Sequence, residues 1–274
     1  DSFDLKRYEE ALAVYDQAID LDPIYVLAFY GKGNALWHLK RYEEALHAYE
    51  QAIDLDPTLA LASHGKGETL YKLKRYDDAL AAYDQAIRLD PAYVLAFYGK
   101  GNALWYLKRY EESLHAYEQA IHLDPTLALA SHGKGNVLCD LKRYNEALEA
   151  YEQTIRLDPT LAIAYSGKGN AFCGLKQYEE ALETYKHAID LGPNLSEAQN
   201  GKGWALWNLK RYEEALTAFE QAIHLDANNT RAYYNKVSTL WKLKRYRQAL
   251  IALAQTVSLD PKYAHTPTKT NKKK

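Results

Sequence analysis

Residues 26–59 read VLAFYGKGNALWHLKRYEEALHAYEQAIDLDPTL, and the fold can be read from this stretch. Val26 to Leu39 carries apolar residues at helical spacing, and Lys40-Arg41 is a short polar break. Tyr42 to Leu55 is a second helical segment, in which Tyr42, Ala45, Leu46, Tyr49, Ala52 and Ile53 form one stripe. Asp56-Pro57 ends it, because the residue ahead of a proline is driven out of the helical region. The unit is helix, turn, helix, turn.

Outward from this unit, the pattern repeats. Prolines at Pro23, Pro57, Pro91, Pro125, Pro159, Pro193 and Pro261 keep a period of 34, with one skipped place at Ala227. Tyr8, Tyr42, Tyr76, Tyr110, Tyr144, Tyr178, Tyr212 and Tyr246 keep the same period without a gap. The expected units are a partial one over 1–25 and full ones over 26–59, 60–93, 94–127, 128–161, 162–195, 196–229 and 230–263, followed by a basic flexible tail over 264–274. One helix pair is too small to bury its own apolar stripe, so stacked neighbours must supply the core.

The repeat resembles the tetratricopeptide family, whose 34-residue pattern sets aromatic, small and proline places in this order. Here the aromatic place holds Phe29, Phe97, Tyr165 and Tyr233, the small place Gly33 and its copies, and the second helix carries Ala45 and Tyr49 with theirs. The resemblance covers residues 1 to about 263 and implies an all-α, right-handed superhelical solenoid of antiparallel helix pairs, with first helices lining the inside. Three places depart from the family. Lys32 and its copies replace leucine before the small glycine, a further glycine precedes that lysine, and Lys40 and its copies stand where the turn usually has glycine. The first glycine is read as lowering the inner wall.

Composition excludes several classes. The chain has 274 residues, net charge −2 and two cysteines, Cys139 and Cys173. That balance gives no pull towards nucleic acid or an anionic membrane, and no apolar run approaches the roughly 18–20 residues of a membrane helix. Neither a disulfide framework nor a zinc site is expected. A cytoplasmic, non-catalytic protein without metal or cofactor is the expectation. The Gly-Lys-Gly triplets fall inside helices, whereas a phosphate loop precedes one. Pairs such as Glu43-Glu44 open second helices, where negative charge suits the helix dipole.

In the family, ligand contacts come from the inward face of the first helix. Three rows follow from that resemblance. The first runs Tyr30, His64, Tyr98, His132, Ser166, Asn200, Tyr234, the second Asn34, Glu68, Asn102, Asn136, Asn170, Trp204, Ser238 and the third Trp37, Tyr71, Trp105, Cys139, Cys173, Trp207, Trp241. Aromatic anchors combine area with a polar tip, and asparagine amides can both donate to and accept from a peptide backbone. The expected groove is therefore Tyr30, Asn34, Trp37, His64, Tyr98, Asn102, Trp105, His132, Asn136, Asn170, Trp204, Trp207, Tyr234 and Trp241. The competing reading packs the aromatics between first helices as core and has each asparagine bridge within its own unit. The two-carboxylate clamp that binds chaperone tails is not expected, since its basic places hold Leu27, Tyr30 and Gly31 with their copies.

Residues 25–67 and 93–135 differ only at His38/Tyr106, Ala45/Ser113 and Asp54/His122, so a 68-residue block is duplicated. Identical blocks suit an extended protein or peptide partner. Two alternatives stay open: a recruiting or regulatory arm of a larger enzyme, and a self-assembling solenoid. The opening unit has a second helix, starting near Leu5, without its first. In the last unit Ile251 and Ala254 replace polar residues of earlier units, which makes that end a candidate assembly face for head-to-tail association.

Overall fold

A computed structural model describes residues 2–262, with side chains from Leu5 onward. The expected basic tail at 264–274 lies outside the described residues. The described residues form fifteen α-helices and no strand. The first helices of the full units are α2 (Val26–His38), α4 (Ala60–Lys72), α6 (Val94–Tyr106), α8 (Ala128–Asp140), α10 (Ala162–Gly174), α12 (Ser196–Asn208) and α14 (Thr230–Lys242). The second helices are α3 (Tyr42–Leu55), α5 (Tyr76–Leu89), α7 (Tyr110–Leu123), α9 (Tyr144–Leu157), α11 (Tyr178–Leu191), α13 (Tyr212–Leu225) and α15 (Tyr246–Leu259). The opening helix, α1, runs Ser2–Leu21 and starts earlier than the expected Leu5.

The chain divides into two compact blocks, residues 1–141 and 142–274. In the first, the backbones of α2, α4, α6 and α8 approach one another in succession, while those of α3, α5 and α7 stay farther apart. In the second, the backbones of α10, α12 and α14 approach in succession, and those of α11, α13 and α15 stay farther apart. Each block is thus a curved stack of helix pairs with its first helices crowded on the concave side.

The turn inside each pair is built the same way. Lys40, Lys74, Lys108, Lys142, Lys176, Lys210 and Lys244 all have positive φ, near 60°. In the first full unit the N–H of Lys40 donates to Trp37 O at 3.0 Å and that of Arg41 to Leu36 O at 2.9 Å. This is the double bond that closes a helix through a left-handed residue. A side chain there costs roughly 1–2 kcal/mol, which a glycine would avoid. Between units, the Asp56 carboxylate accepts from the N–H and hydroxyl of Thr58 at 2.9 and 2.6 Å. Those bonds hold Asp56 below the usual carboxylate range, and Asp124 and Asp158 repeat the arrangement.

The core of each unit centres on the aromatic ring of the second helix. Tyr49, Tyr83, Tyr117, Tyr151, Tyr185 and Phe219 are all buried. The glycines explain why these rings fit. A Cβ on Gly33 would stand 2.7 Å from the Tyr49 ring, and one on Gly65, in the next unit, 2.6 Å from the same ring. Tyr83 sits likewise between Gly67 and Gly99, and Tyr185 between Gly169 and Gly201. The first glycine of each triplet therefore seats the ring of the preceding unit; lowering the inner wall is not its role. Two mid-helix glycines cost about 1–2 kcal/mol together, and burying the ring returns about 3 kcal/mol. A methyl group at either place would overpack the site by about 1–3 kcal/mol.

The lysine between the glycines also ties neighbouring units. Lys32 Nζ lies 2.7 Å from Asp16, Lys66 2.8 Å from Glu50, Lys100 2.7 Å from Asp84 and Lys134 2.9 Å from Glu118. These half-exposed pairs contribute at most about 1 kcal/mol each. Their regular reach to the preceding second helix explains the polar residue at a place where the family has leucine.

Candidate functional site

Burying a tyrosine ring also buries its hydroxyl, which must find an acceptor. The second row supplies it. The Tyr49 hydroxyl donates to Asn34 Oδ1 at 2.7 Å, Tyr117 to Asn102 Oδ1 at 2.7 Å and Tyr185 to Asn170 Oδ1 at 2.6 Å. Tyr83 donates to Glu68 Oε1 at 2.6 Å. The asparagine carbonyl is thus committed within its own unit, and the amide N–H group is what remains for a ligand. An amide that accepts and donates equally along a peptide is not what these residues present. A signal for this lay in the chain itself. Units with tyrosine at the ring position carry Asn or Glu in the second row, and the unit with Phe219 carries Trp204.

The first row leans over those rings. Tyr30 packs on Tyr49 with centroids 6.0 Å apart, His64 on Tyr83 at 5.9 Å and Tyr98 on Tyr117 at 6.0 Å, all tilted near 50°. In the first block an open cleft of about 410 Å³ brings together Tyr30, Asn34, Trp37, His64 and Tyr98 from the expected set. Tyr49 and Gly65 form its floor, and Glu68, Tyr93, Leu61 and Leu95 add to its lining. These four lie outside the expected groove set; Glu68 stood in the second row, but as one acid among amides.

Electrostatics in the cleft follow from burial. Desolvation pulls the His64 imidazole below its ordinary value, with Glu68 and the backbone at Leu95 acting the other way. Burial raises the phenols of Tyr49 and Tyr83 well above the usual range and pushes Tyr93 up to about 12. His64 Nε2 stands 3.9 Å from Glu68 Oε1 and its ring 4.9 Å from that of Tyr93.

The other expected residues lie outside this cleft. Trp105 is half-buried and its Nε1 donates to Asp140 at 2.6 Å. His132 and Asn136 face each other at 3.5 Å. In the second block Asn170 is exposed, and Trp204, 41% exposed, stacks on Trp207 with centroids 5.4 Å apart and planes 3° from parallel. Asn200, in the first row, is buried and accepts from Asn235 at 3.0 Å. Tyr234 is 37% exposed.

The indole N–H groups of Trp37, Trp207 and Trp241 are buried without a hydrogen-bond partner. Their rings pack into the clusters around Leu36, Leu206 and Leu240. The third row thus works in part as core, whereas Trp204 and Tyr234 are exposed. Ile251 is 57% exposed at the end of the second block, Leu250 beside it equally so, and Ala254 is exposed.

Three negatives hold among the described residues. No group of three or more His, Cys, Asp or Glu side chains could hold a metal ion. No helix is long and apolar enough to cross a membrane. The two cysteines are not bonded to each other, and burial pushes the Cys173 thiol up to about 11.

Family profiles described as tetratricopeptide repeat match residues 2–60, 64–128, 160–228 and 206–266, and one described as TPR repeat matches 135–176. No curated protein matches the sequence. Among solved structures, the APC/C hetero-tetramer Cut9-Hcn1 aligns with TM-score 0.74 at 17% identity, over 85% of this chain and 46% of that one. Yeast Tom70 aligns with TM-score 0.64 at 15% identity, over 93% and 55%. MamA aligns with TM-score 0.54 at 26% identity, over 58% and 93%. The chain spans about half the length of Cut9 and Tom70, and those likenesses are of fold.

Proposed function

We propose that this chain, which belongs to the tetratricopeptide repeat family, holds an extended segment of a protein partner along the concave face of its first helices. A scaffold for protein interaction is what the family and fold support in general. The finer reading rests on one observation: Asn34, Asn102 and Asn170 spend their carbonyls on buried phenols and keep amide N–H groups free. In the first block Tyr30 precedes Asn34 and Tyr98 precedes Asn102 by one turn, so these donors suit the carbonyls of an extended backbone, with aromatic faces for its side chains. Nothing in this reading requires a catalytic group; a recruiting arm of a larger enzyme would use the same surface.

A peptide-display selection against the full chain tests it. Selected peptides should lose binding to a Tyr30→Ala/Tyr98→Ala variant and keep it in a Glu43→Ala/Glu111→Ala variant on the second helices. Equal binding by the first variant would reject the concave face.

The exposed Leu250 and Ile251 favour a second reading, in which the last helix pair docks on another copy head to tail. Sedimentation of the chain and of Leu250→Glu/Ile251→Glu distinguishes it: concentration-dependent association should vanish in the variant. A wild-type monomer at high concentration rejects it.

A further inference from the structure

Glu68 is the odd member of the second row. The Tyr83 phenol needs only an acceptor, and Asn34 and Asn102 meet the same need with an amide at 2.7 Å. The negative charge at Glu68 is surplus to that role. Its carboxylate is half-buried, it pairs with no lysine or arginine among the described residues, and its ionic neighbour is His64 at 3.9 Å. Burial favours the neutral imidazole, so His64 does not cancel the charge near neutral pH. The Tyr83 hydroxyl donates to one carboxylate oxygen without neutralising its charge, and an arriving cation would supply the counter-charge.

The walls around it suit a cation as well. Tyr30, Tyr93, Tyr98 and Trp37 line the same cleft of about 410 Å³, and aromatic faces attract ammonium and guanidinium groups. The chain already uses one of them in this way: the Lys72 ammonium lies 5.6 Å from the centroid of the Trp37 ring. Lys72 stands one turn beyond Glu68 on α4, yet it makes no ion pair with it.

We propose that this cleft takes a lysine or arginine side chain of the bound segment, with Glu68 as counter-charge and the tyrosine faces as walls. The proposal rests on the concave-face reading above. Arginine is the better fit, since its planar guanidinium can stack on a phenol while it pairs with a carboxylate.

The test uses the full chain and arrayed extended peptides of one length, each with a single central Arg, Lys, Gln or Glu in an otherwise constant background. Wild type should capture the Arg and Lys peptides about tenfold better than the Gln peptide at low salt, as expected for one charge-assisted contact, and the Glu peptide least. Glu68→Gln keeps an acceptor for Tyr83, so the fold should persist, which circular dichroism checks. It should erase the Arg-over-Gln preference. Equal capture of Arg and Gln peptides by wild type, or a preference surviving in Glu68→Gln, overturns the cation cleft alone. If no peptide of any kind is captured, the concave-face reading falls and the cleft proposal with it.

Discussion

Residues 26–59 and 196–229 have the same kind of helix pair and the same Gly-Lys-Gly triplet, yet they line their concave faces differently. In the first, Tyr49 buries a hydroxyl and Asn34 accepts from it at 2.7 Å. In the second, Phe219 buries a bare ring, and Trp204 is released to stack on Trp207 in the open. The comparison teaches that the second row is dictated from behind. A phenol in the core demands an acceptor on the face, and removing the phenol frees that place for an aromatic platform.

The largest way to stress this difference is pH. Burial raises the phenols of Tyr49, Tyr83 and Tyr117 far above the roughly 10 of an exposed tyrosine. Below that value both folded and unfolded chains keep the protons, and stability is complete. Above it the unfolded chain releases protons that the folded one retains, so stability falls as pH rises, by about 1.4 kcal/mol per pH unit for each phenol and about 4 for the three. The first block should unfold in alkali before residues 196–229 lose structure. Tyrosinate absorbance followed against circular dichroism checks this, and Tyr83→Phe should flatten the slope.

A smaller effect comes from exchanging the two solutions. Phe219→Tyr puts a hydroxyl in the core with Trp204 where an acceptor is required, and should cost about 1–3 kcal/mol in denaturant unfolding. Adding Trp204→Asn should recover about 1 kcal/mol, a coupling that a double-mutant cycle reads directly. Additive costs would mean that the two places are independent.

The smallest effect compares a turn with the helix that follows it. Lys74, between α4 and α5, turns left-handed at φ 61°, whereas Ala81 is exposed inside α5. Lys74→Gly should stabilise by about 0.5–1 kcal/mol, since glycine enters that conformation without steric cost. Ala81→Gly should destabilise by about 1 kcal/mol, because glycine weakens a helix interior. Thermal melts that shift in the same direction for both would contradict the assignment.

Helix pairs, turns and period were legible in the chain because they depend on spacings within one segment. Tyr42, Ala45, Tyr49 and Ala52 share a stripe through the geometry of a single helix, and Asp56-Pro57 acts on its own neighbours. The three rows were legible as one stripe for the same reason; that the stripe faces a ligand is what the resemblance to the family implies. What those rows do was not, with the partial exception of the Asn-with-Tyr and Trp-with-Phe correspondence across units.

The purpose of Gly65 lies in the ring of Tyr49, in the preceding unit, and the acceptor for that ring lies on the partner helix at Asn34. Local order along one helix follows from backbone geometry and is written in every copy of the repeat. Registry between helices follows from which side chains meet when the pairs stack, and it decides what each glycine seats and which groups surround a lone glutamate.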